Sequence, residues 1–585
     1  MVDFAHVDAL AAGYHQRGGQ PGLAYGIVSG GELVHAAGLG ERYLGGPPPD
    51  DGTVFRIASM TKSFTASAIL ALRDDGVLRL DDLAEDYVPE LHGWPPVSPD
   101  SARISIRHLL TMTAGFPTDD PWGDRQQGLP LEEFAQFLAK GVSFNCAPGT
   151  RFEYSNLGYA ILGRVITAVT GMTYPAYVRH RLLKPLGMMR TGYEAAEFEP
   201  PRQATGPTGV ARGYRRSPGG WSEVAFDPAG AFAPMGGIFS CVRDLTRWVA
   251  GFAAAFPPGG DDETHPVRRS SRREMQLPQV LTGWAIAPSF PGDGGSSPPA
   301  TYGFGLFVDE HPSLGRIVSH SGGYPGFGSN MAWHPATGTG VIALGNSTYA
   351  AMAPLAARLL EAVVREAGPS AHGPVVALAA PGPWPETLAA RAEVGRLLGA
   401  WDDAAAQRLF APNVALDAPF EERRRRIALI RERIGEFGDD PGRRPEFDTP
   451  AHCRWWLAGE RGAVQVQIQL SPQRPPRVQS LTLAVPPAAG SALRACLDAL
   501  VDWLNSGEPD WPASVPVAGG VDTGMAARRL RMAAAWAGPC RVGGFKAGDG
   551  TASVAAELAG EHATITLALV IDPETRLLQL ADVTP

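Results

Sequence analysis

Apolar residues recur at every fourth position from Met60 through Phe64 and Ala68 to Leu72, a spacing that predicts a buried helix. Asp3 to Gln16 reads as a short amphipathic helix. Leu23–Val28 and Glu32–Ala37, joined by Ser29-Gly30-Gly31, predict a β-hairpin. Ile106 to Phe116 predicts a helix that ends at a glycine cap, Gly115. Leu157, Ile161, Val165 and Val169 form a further helical stripe, entered from a loop that carries Tyr154, Ser155 and Asn156. Gly236-Gly237-Ile238-Phe239-Ser240 leads into another helix at Asp244. Pro257 to Ala300 is rich in Gly, Pro, Ser and Arg and reads as a surface insertion. Strands are predicted at Tyr302–Val308, Arg316–Ser319, Ser329–Trp333 and Gly340–Leu344, with His320-Ser321-Gly322-Gly323 between two of them. A helix from Ala353 to Glu366 closes this unit.

The pattern changes at a Pro/Gly/Ala-rich stretch, residues 369–385, which reads as a linker after a first domain of residues 1–368. Beyond it the chain repeats at an offset of about a hundred residues. Phe410 answers Trp511, Val414 answers Val515, and Gly459-Glu460 answers Gly560-Glu561. Residues 386–486 and 487–585 are therefore predicted as two small α+β domains. Each reads as helix, short strand, helix and then alternating strands, with no catalytic constellation.

Composition narrows the function. The chain has 585 residues and a formal net charge of −9, which argues against a nucleic-acid partner. Its first twenty residues lack an apolar signal core and no membrane span is apparent, so a cytoplasmic location is expected. Five cysteines are scattered and never form Cys-x-x-Cys, and there is no His-Glu-x-x-His, so neither a disulfide framework nor a metal or other cofactor is expected.

Chemistry enters with Ser59 and Lys62, three residues apart at the head of the first helix and on one face of it. A serine hydroxyl attacks only when a neighbouring base takes its proton, and a lysine serves when burial lowers its proton affinity. The other reading is an N-capping serine with a solvated lysine. The lysine census favours chemistry: of 51 basic residues only Lys62, Lys140, Lys184 and Lys546 are lysines. Arginine supplies charge everywhere else and cannot give up its proton. Tyr154 and Asn156 read either as polar groups held for chemistry or as a packing tyrosine beside an N-cap. His320 reads either as a site residue or as a strand-end histidine, and the paired glycines after it would let a substrate backbone approach a strand edge.

Together Ser59-Met60-Thr61-Lys62, Tyr154-Ser155-Asn156 and His320-Ser321-Gly322 resemble, in order and spacing, the motifs of the penicillin-recognising serine hydrolases. The similarity is to the class C β-lactamase-like branch, with its DD-peptidases, D-aminopeptidases and carboxylesterases, and covers about Asp3 to Glu366. His108-Leu109-Leu110-Thr111 and Gly236-Gly237-Ile238-Phe239-Ser240 resemble that branch too. The resemblance implies an α+β fold: a five-stranded antiparallel sheet flanked by helices, plus an all-helical subdomain, with the site at their junction. It implies that Ser59 is acylated, that Lys62 and Tyr154 share the proton transfers, and that Asn156 contacts the substrate amide. His320, Ser321 and Gly322 would line the site, with the backbone amides of Ser59 and Gly323 as the oxyanion hole. His320 stands where true β-lactamases carry a lysine that holds the β-lactam carboxylate. The expected reaction is hydrolysis of a small amide or ester, with β-lactam hydrolysis weak; a binding protein that has kept the pocket is the alternative. The tail resembles two NTF2-like domains, which implies a homodimer formed through the repeats.

Overall fold

The computed structural model describes residues 4–17, 19–199, 209–217, 220–259, 264–284, 299–311, 314–366, 383–447, 449–471, 475–508, 510–519, 521–560 and 564–584. The chain divides into two compact units, residues 1–378 and 379–585. Most of the expected linker, residues 369–382, lies outside the described residues. Among the described residues no helix is long and apolar enough to cross a membrane.

The first unit is built on one antiparallel sheet. Its strands are β1 (Gly22–Ser29), β2 (Glu32–Gly40), β3 (Val280–Trp284), β4 (Pro299–Tyr302), β5 (Phe307–His311), β6 (Gly315–Tyr324), β7 (Phe327–His334) and β8 (Thr339–Gly345). They lie in the order β2-β1-β8-β7-β6-β5-β4-β3. Gly30 and Gly31 adopt φ of 59° and 86°, as the two-residue β1–β2 turn requires.

Side-chain alternation sends the central strands into two cores. Leu23, Tyr25 and Ile27 of β1 and Val341 and Ala343 of β8 join one cluster with Leu355 and Leu359. Helices α1 (Phe4–His15) and α5 (Met352–Glu366) cover that face. Ala24, Val28, Ile342 and Leu344 face a larger core with α2 (Thr61–Asp74), α3 (Asn156–Thr170) and α4 (Val242–Ala253). The α2 helix is buried all round from Thr61 to Leu72, so its polar side chains need partners. Ser63 donates to the Met60 carbonyl and accepts from Trp248, and Trp248 in turn stacks on Phe64 at 3.7 Å.

Several expectations need correction. Among the described residues the sheet has eight strands, not five. The predicted strand Tyr302–Val308 is two strands, because the chain turns between Gly303 and Leu306. Gly305, at φ 70°, passes so close to α2 there that a Cβ would stand 2.6 Å from the Lys62 carbonyl oxygen. The stretch 257–300 is not wholly a surface insertion. Its helix Arg269–Met275 buries Ser271, Arg272 and Met275 against the core, and β3 extends the sheet, while residues 260–263 and 285–298 lie outside the described residues. The helix from Ile106 ends at Leu110, before Gly115: Met112 turns to φ 60° and breaks it.

The second unit holds two copies of a four-stranded antiparallel sheet. Strands His452–Gly459 and Gly462–Leu470 answer Ser553–Ala559 and Thr564–Ile571. A register shift between Gln469 and Leu470 recurs between Val570 and Ile571. The chain just after Phe410 forms a helix, Pro412–Asp417, with proline at its first position. Ala411 donates to Val478 as Ala518 donates to Leu578, so Phe410 matches Val517 and not Trp511. The copies differ in length between their helices, which displaced the alignment there.

Candidate active site

Ser59 sits in a single 3-10 turn, Ala58–Met60, that feeds α2. N–H groups in the first turn of a helix have no acceptor within it, so the Ser59 amide is placed to bind an anion. Ala58 holds φ at 48°, costing roughly 1–2 kcal/mol for a residue with a side chain. Neighbouring backbone enforces it: Ile57 N–H donates to Ile238 at 2.9 Å, and the Ile57 carbonyl accepts from Ser329 Oγ at 2.7 Å.

Lys62 is fully buried one turn further on. Its Nζ lies 2.9 Å from Ser59 Oγ, 2.7 Å from Asn156 Oδ1 and 2.9 Å from the Met235 carbonyl oxygen. Two of these partners can only accept, while the hydroxyl can also donate. A neutral amine therefore satisfies all three contacts by donating twice and receiving the Ser59 proton on its lone pair. The ammonium satisfies them by donating three times. The cage accommodates both states of a base.

Asn156 opens α3 and Ser155 caps it, with Gly158 N–H donating to Ser155 Oγ at 3.2 Å. Asp119 fixes this entry: its carboxylate accepts from Asn156 N–H at 2.7 Å and Leu157 N–H at 2.9 Å. A carboxylate is favoured at the positive end of a helix. Ser155 is the N-cap, and Asn156 bonds the candidate base. The Asn156 amide oxygen is committed to Lys62. Tyr154 turns its ring towards Lys62, with Nζ 4.9 Å from the ring centre.

His320 does not lie between strands: residues 320–324 continue β6. The β5–β6 ladder ends at Phe307–Ser319, so among the described residues 320–324 pair only with β7. One strand edge is left open beside the Ser59 turn. Gly322 seats that edge: a Cβ would fall on the Ile57 carbonyl oxygen and the Ser329 hydroxyl. Gly323 follows it. The His320 ring is buried beside Phe307 and Tyr302, with Nδ1 donating to the Ser321 carbonyl at 2.6 Å. Burial, and then the nearby Lys62 charge, lower its pKa to about 3, so the ring is neutral at ordinary pH. Ser321 Oγ accepts from Asn330 Nδ2 at 2.9 Å.

The fold thus brings Ser59, Lys62, Asn156 and Tyr154 together, with His320 to Gly323 on the adjoining sheet edge. Sequence reasoning missed two contributors. Asp119 sits in the polar run Thr118-Asp119-Asp120, where a helix-entry carboxylate could have been sought. Met235 contributes only a carbonyl, which any residue could supply. Three metal-capable groups converge elsewhere, at Glu85, Asp86 and His92 on surface turns.

The β-lactamase family model matches residues 7–365. Protein flp of Staphylococcus aureus (strain MW2) is 27% identical over 350 residues, 58% of this chain and 62% of its own length. Penicillin-binding protein 4* of Bacillus subtilis (strain 168) is 25% identical over 319 residues, 52% of this chain and 63% of its own. The match thus spans less than two thirds of either relative. The octameric penicillin-binding protein homologue from Pyrococcus abyssi shares the fold, with a TM-score of 0.50 and 19% identity over 97% of this chain and 96% of that one. The family match ends before the tail, so it lends the NTF2-like resemblance no support. Every residue of the site around Ser59 falls inside the matched span, and the chain belongs to the β-lactamase family.

Proposed function

We propose that the protein is an acyl-serine hydrolase of small esters or amides. The observation that carries this reading is the Lys62 amine 2.9 Å from Ser59 Oγ, its other two bonds made to acceptors. Lys62 takes the Ser59 proton as Oγ bonds to the substrate carbonyl carbon. The oxyanion is held by the Ser59 and Gly323 amides, donors of a kind typically worth ~3–4 kcal/mol of barrier. As the tetrahedral centre collapses, the bond to the leaving group breaks, and that group receives the proton held at Lys62. Water then attacks the acyl-enzyme, the same amine taking its proton and returning one to Ser59. Tyr154 stands beside Lys62 on the path of that proton.

The neutral His320 favours substrates without a carboxylate. With its ring unprotonated, that position offers no cation to a substrate carboxylate, which argues for esters or aminoacyl amides over β-lactams. A panel of p-nitrophenyl esters, D- and L-aminoacyl anilides and a chromogenic cephalosporin tests this, with peptide mapping for the adduct. The expected result is ester or anilide turnover well above that of the cephalosporin, with mass added at Ser59. Label that persists in Ser59→Ala would place the nucleophile elsewhere.

A further inference from the structure

Two segments meet across the Ser59 site. Gly123 lies against Asn156, where a Cβ would stand 2.8 Å from Asn156 Cβ and 2.9 Å from its Nδ2. Tyr349 lies against Gly323, where a Cβ would stand 2.7 Å from Tyr349 Cδ1. Asn156 and Gly323 belong to opposite sides of the site, the first bonded to Lys62 and the second on the open strand edge. Next to Gly123, Asp124 accepts a hydrogen bond of 2.8 Å from the Tyr349 hydroxyl. That bond joins residues 225 apart and ties the Asn156 side to the Gly323 side.

The tie has the marks of a functional clamp. Tyr349 holds φ at 52°, a region that residues with side chains avoid and that recurs at ligand clamps. Its N–H is shared between the Tyr324 and Phe327 carbonyls, at 3.3 and 3.2 Å, which locks that backbone in place. Tyr349 is 48% exposed, while Asp124 is only 2% exposed. An exposed aromatic in a strained backbone, anchored by a buried carboxylate, is costly unless its position matters.

We propose that Tyr349 and Asp124 close the acyl side of the site and confine it to short acyl groups; the proposal rests on the acyl-serine reading. A carbonyl whose oxygen meets the Ser59 and Gly323 amides sends its two substituents in opposite directions. The leaving group must face Lys62 and Tyr154 to be protonated. The acyl chain must then run between Asn156 and the strand edge at Gly323, the gap that the tie spans. Tyr349 sets the depth of that gap and Asp124 positions Tyr349.

The test is a series of p-nitrophenyl esters from acetate to octanoate, read as the ratio of kcat/KM for octanoate to that for acetate. The full chain is compared with Tyr349→Ala, Asp124→Ala and Tyr349→Phe, which loses only the hydroxyl. The wild-type ratio is expected below one, to rise at least tenfold in Tyr349→Ala, and to rise less in Tyr349→Phe and Asp124→Ala. A Ser59 adduct with an unchanged ratio in folded Tyr349→Phe and Tyr349→Ala, or a wild type that prefers octanoate, overturns the clamp alone. If Tyr349→Ala fails to fold, Tyr349→Phe decides: no rise overturns the clamp. Absence of any Ser59 adduct overturns the acyl-serine reading and the clamp with it.

Discussion

Lys62 places its amine 2.9 Å from the Ser59 hydroxyl although none of the lysine reaches solvent. Nothing about a generic positive charge requires that position. Lys62→Met keeps an unbranched side chain of similar length and removes the amine. Acylation by an activated ester is expected to fall by about 10²–10⁴-fold, the range for a lost general base. Losing the Lys62 bonds to Asn156 Oδ1 and the Met235 carbonyl should also lower stability in urea denaturation. Stopped-flow acylation and urea denaturation separate the two effects; near-normal acylation would remove Lys62 as the base.

Asp119 acts at one remove. Its carboxylate receives the N–H groups of Asn156 and Leu157. Asp119→Ala should cost ~1–2 kcal/mol in urea denaturation, as expected for a lost helix-terminal acceptor. Because Asn156 then loses its anchor beside Lys62, kcat should fall more than KM rises. A stability loss with unchanged kcat would confine Asp119 to the fold.

His320 makes stability depend on pH in a defined direction. Its pKa is lowered from 6.5 to about 3, so between those values the unfolded chain binds the proton that the folded chain refuses. Stability therefore rises with pH across that window and is level above about 6.5. Each pH unit of acidification inside it costs up to ~1.4 kcal/mol from this group. His265, lowered to about 4, acts in the same sense, so the informative quantity is a difference. Against wild type, His320→Gln should show a shallower loss between pH 6 and 4. Equal slopes would mean that the ring is not held neutral.

Gly322 is where the strand edge and the nucleophile turn touch. In Gly322→Ala the new methyl collides with the Ile57 carbonyl and the Ser329 hydroxyl, so the turn carrying Ser59 must shift. Loss of Ser59 labelling is expected, together with a fall in melting temperature. Gly13→Ala is the contrast: it lies within α1 with nothing within 4 Å of the new methyl, and should gain up to ~1 kcal/mol. Labelling that survives in Gly322→Ala would show that the turn tolerates displacement.

What could be read beforehand follows from what side chains encode locally. Met60, Phe64, Ala68 and Leu72 are all buried, because a helix that crosses a core must be apolar at that period. Ser59 and Lys62 were legible as a pair because three residues along a helix is one turn. Residues brought together by topology were harder. Asp119 reads as a loop acid until α3 is placed over it, and Met235 acts through its backbone alone. The Gly303–Leu306 turn was hidden inside an apolar run that passes for one strand, because what bends it is the nearness of α2. Strand edges and carbonyls leave no mark in composition, so half of the site's chemistry was invisible to it.

The sheet order has a bearing on biosynthesis. Strand β1 lies between β2 and β8, so the amino-terminal hairpin finds its inner neighbour only in residues 339–345. The Ile57 carbonyl likewise waits for Ser329, 272 residues later. A chain leaving the ribosome exposes Ser59 long before either partner exists, and contacts so distant along the chain form slowly. Until then the Ser59 turn lacks the bond that Ser329 makes to the Ile57 carbonyl, so acylation of Ser59 is expected only after residue 329 has been made and has folded back. Covalent labelling at Ser59 would accordingly be expected to count completed molecules, a reporter of the chain's own maturation.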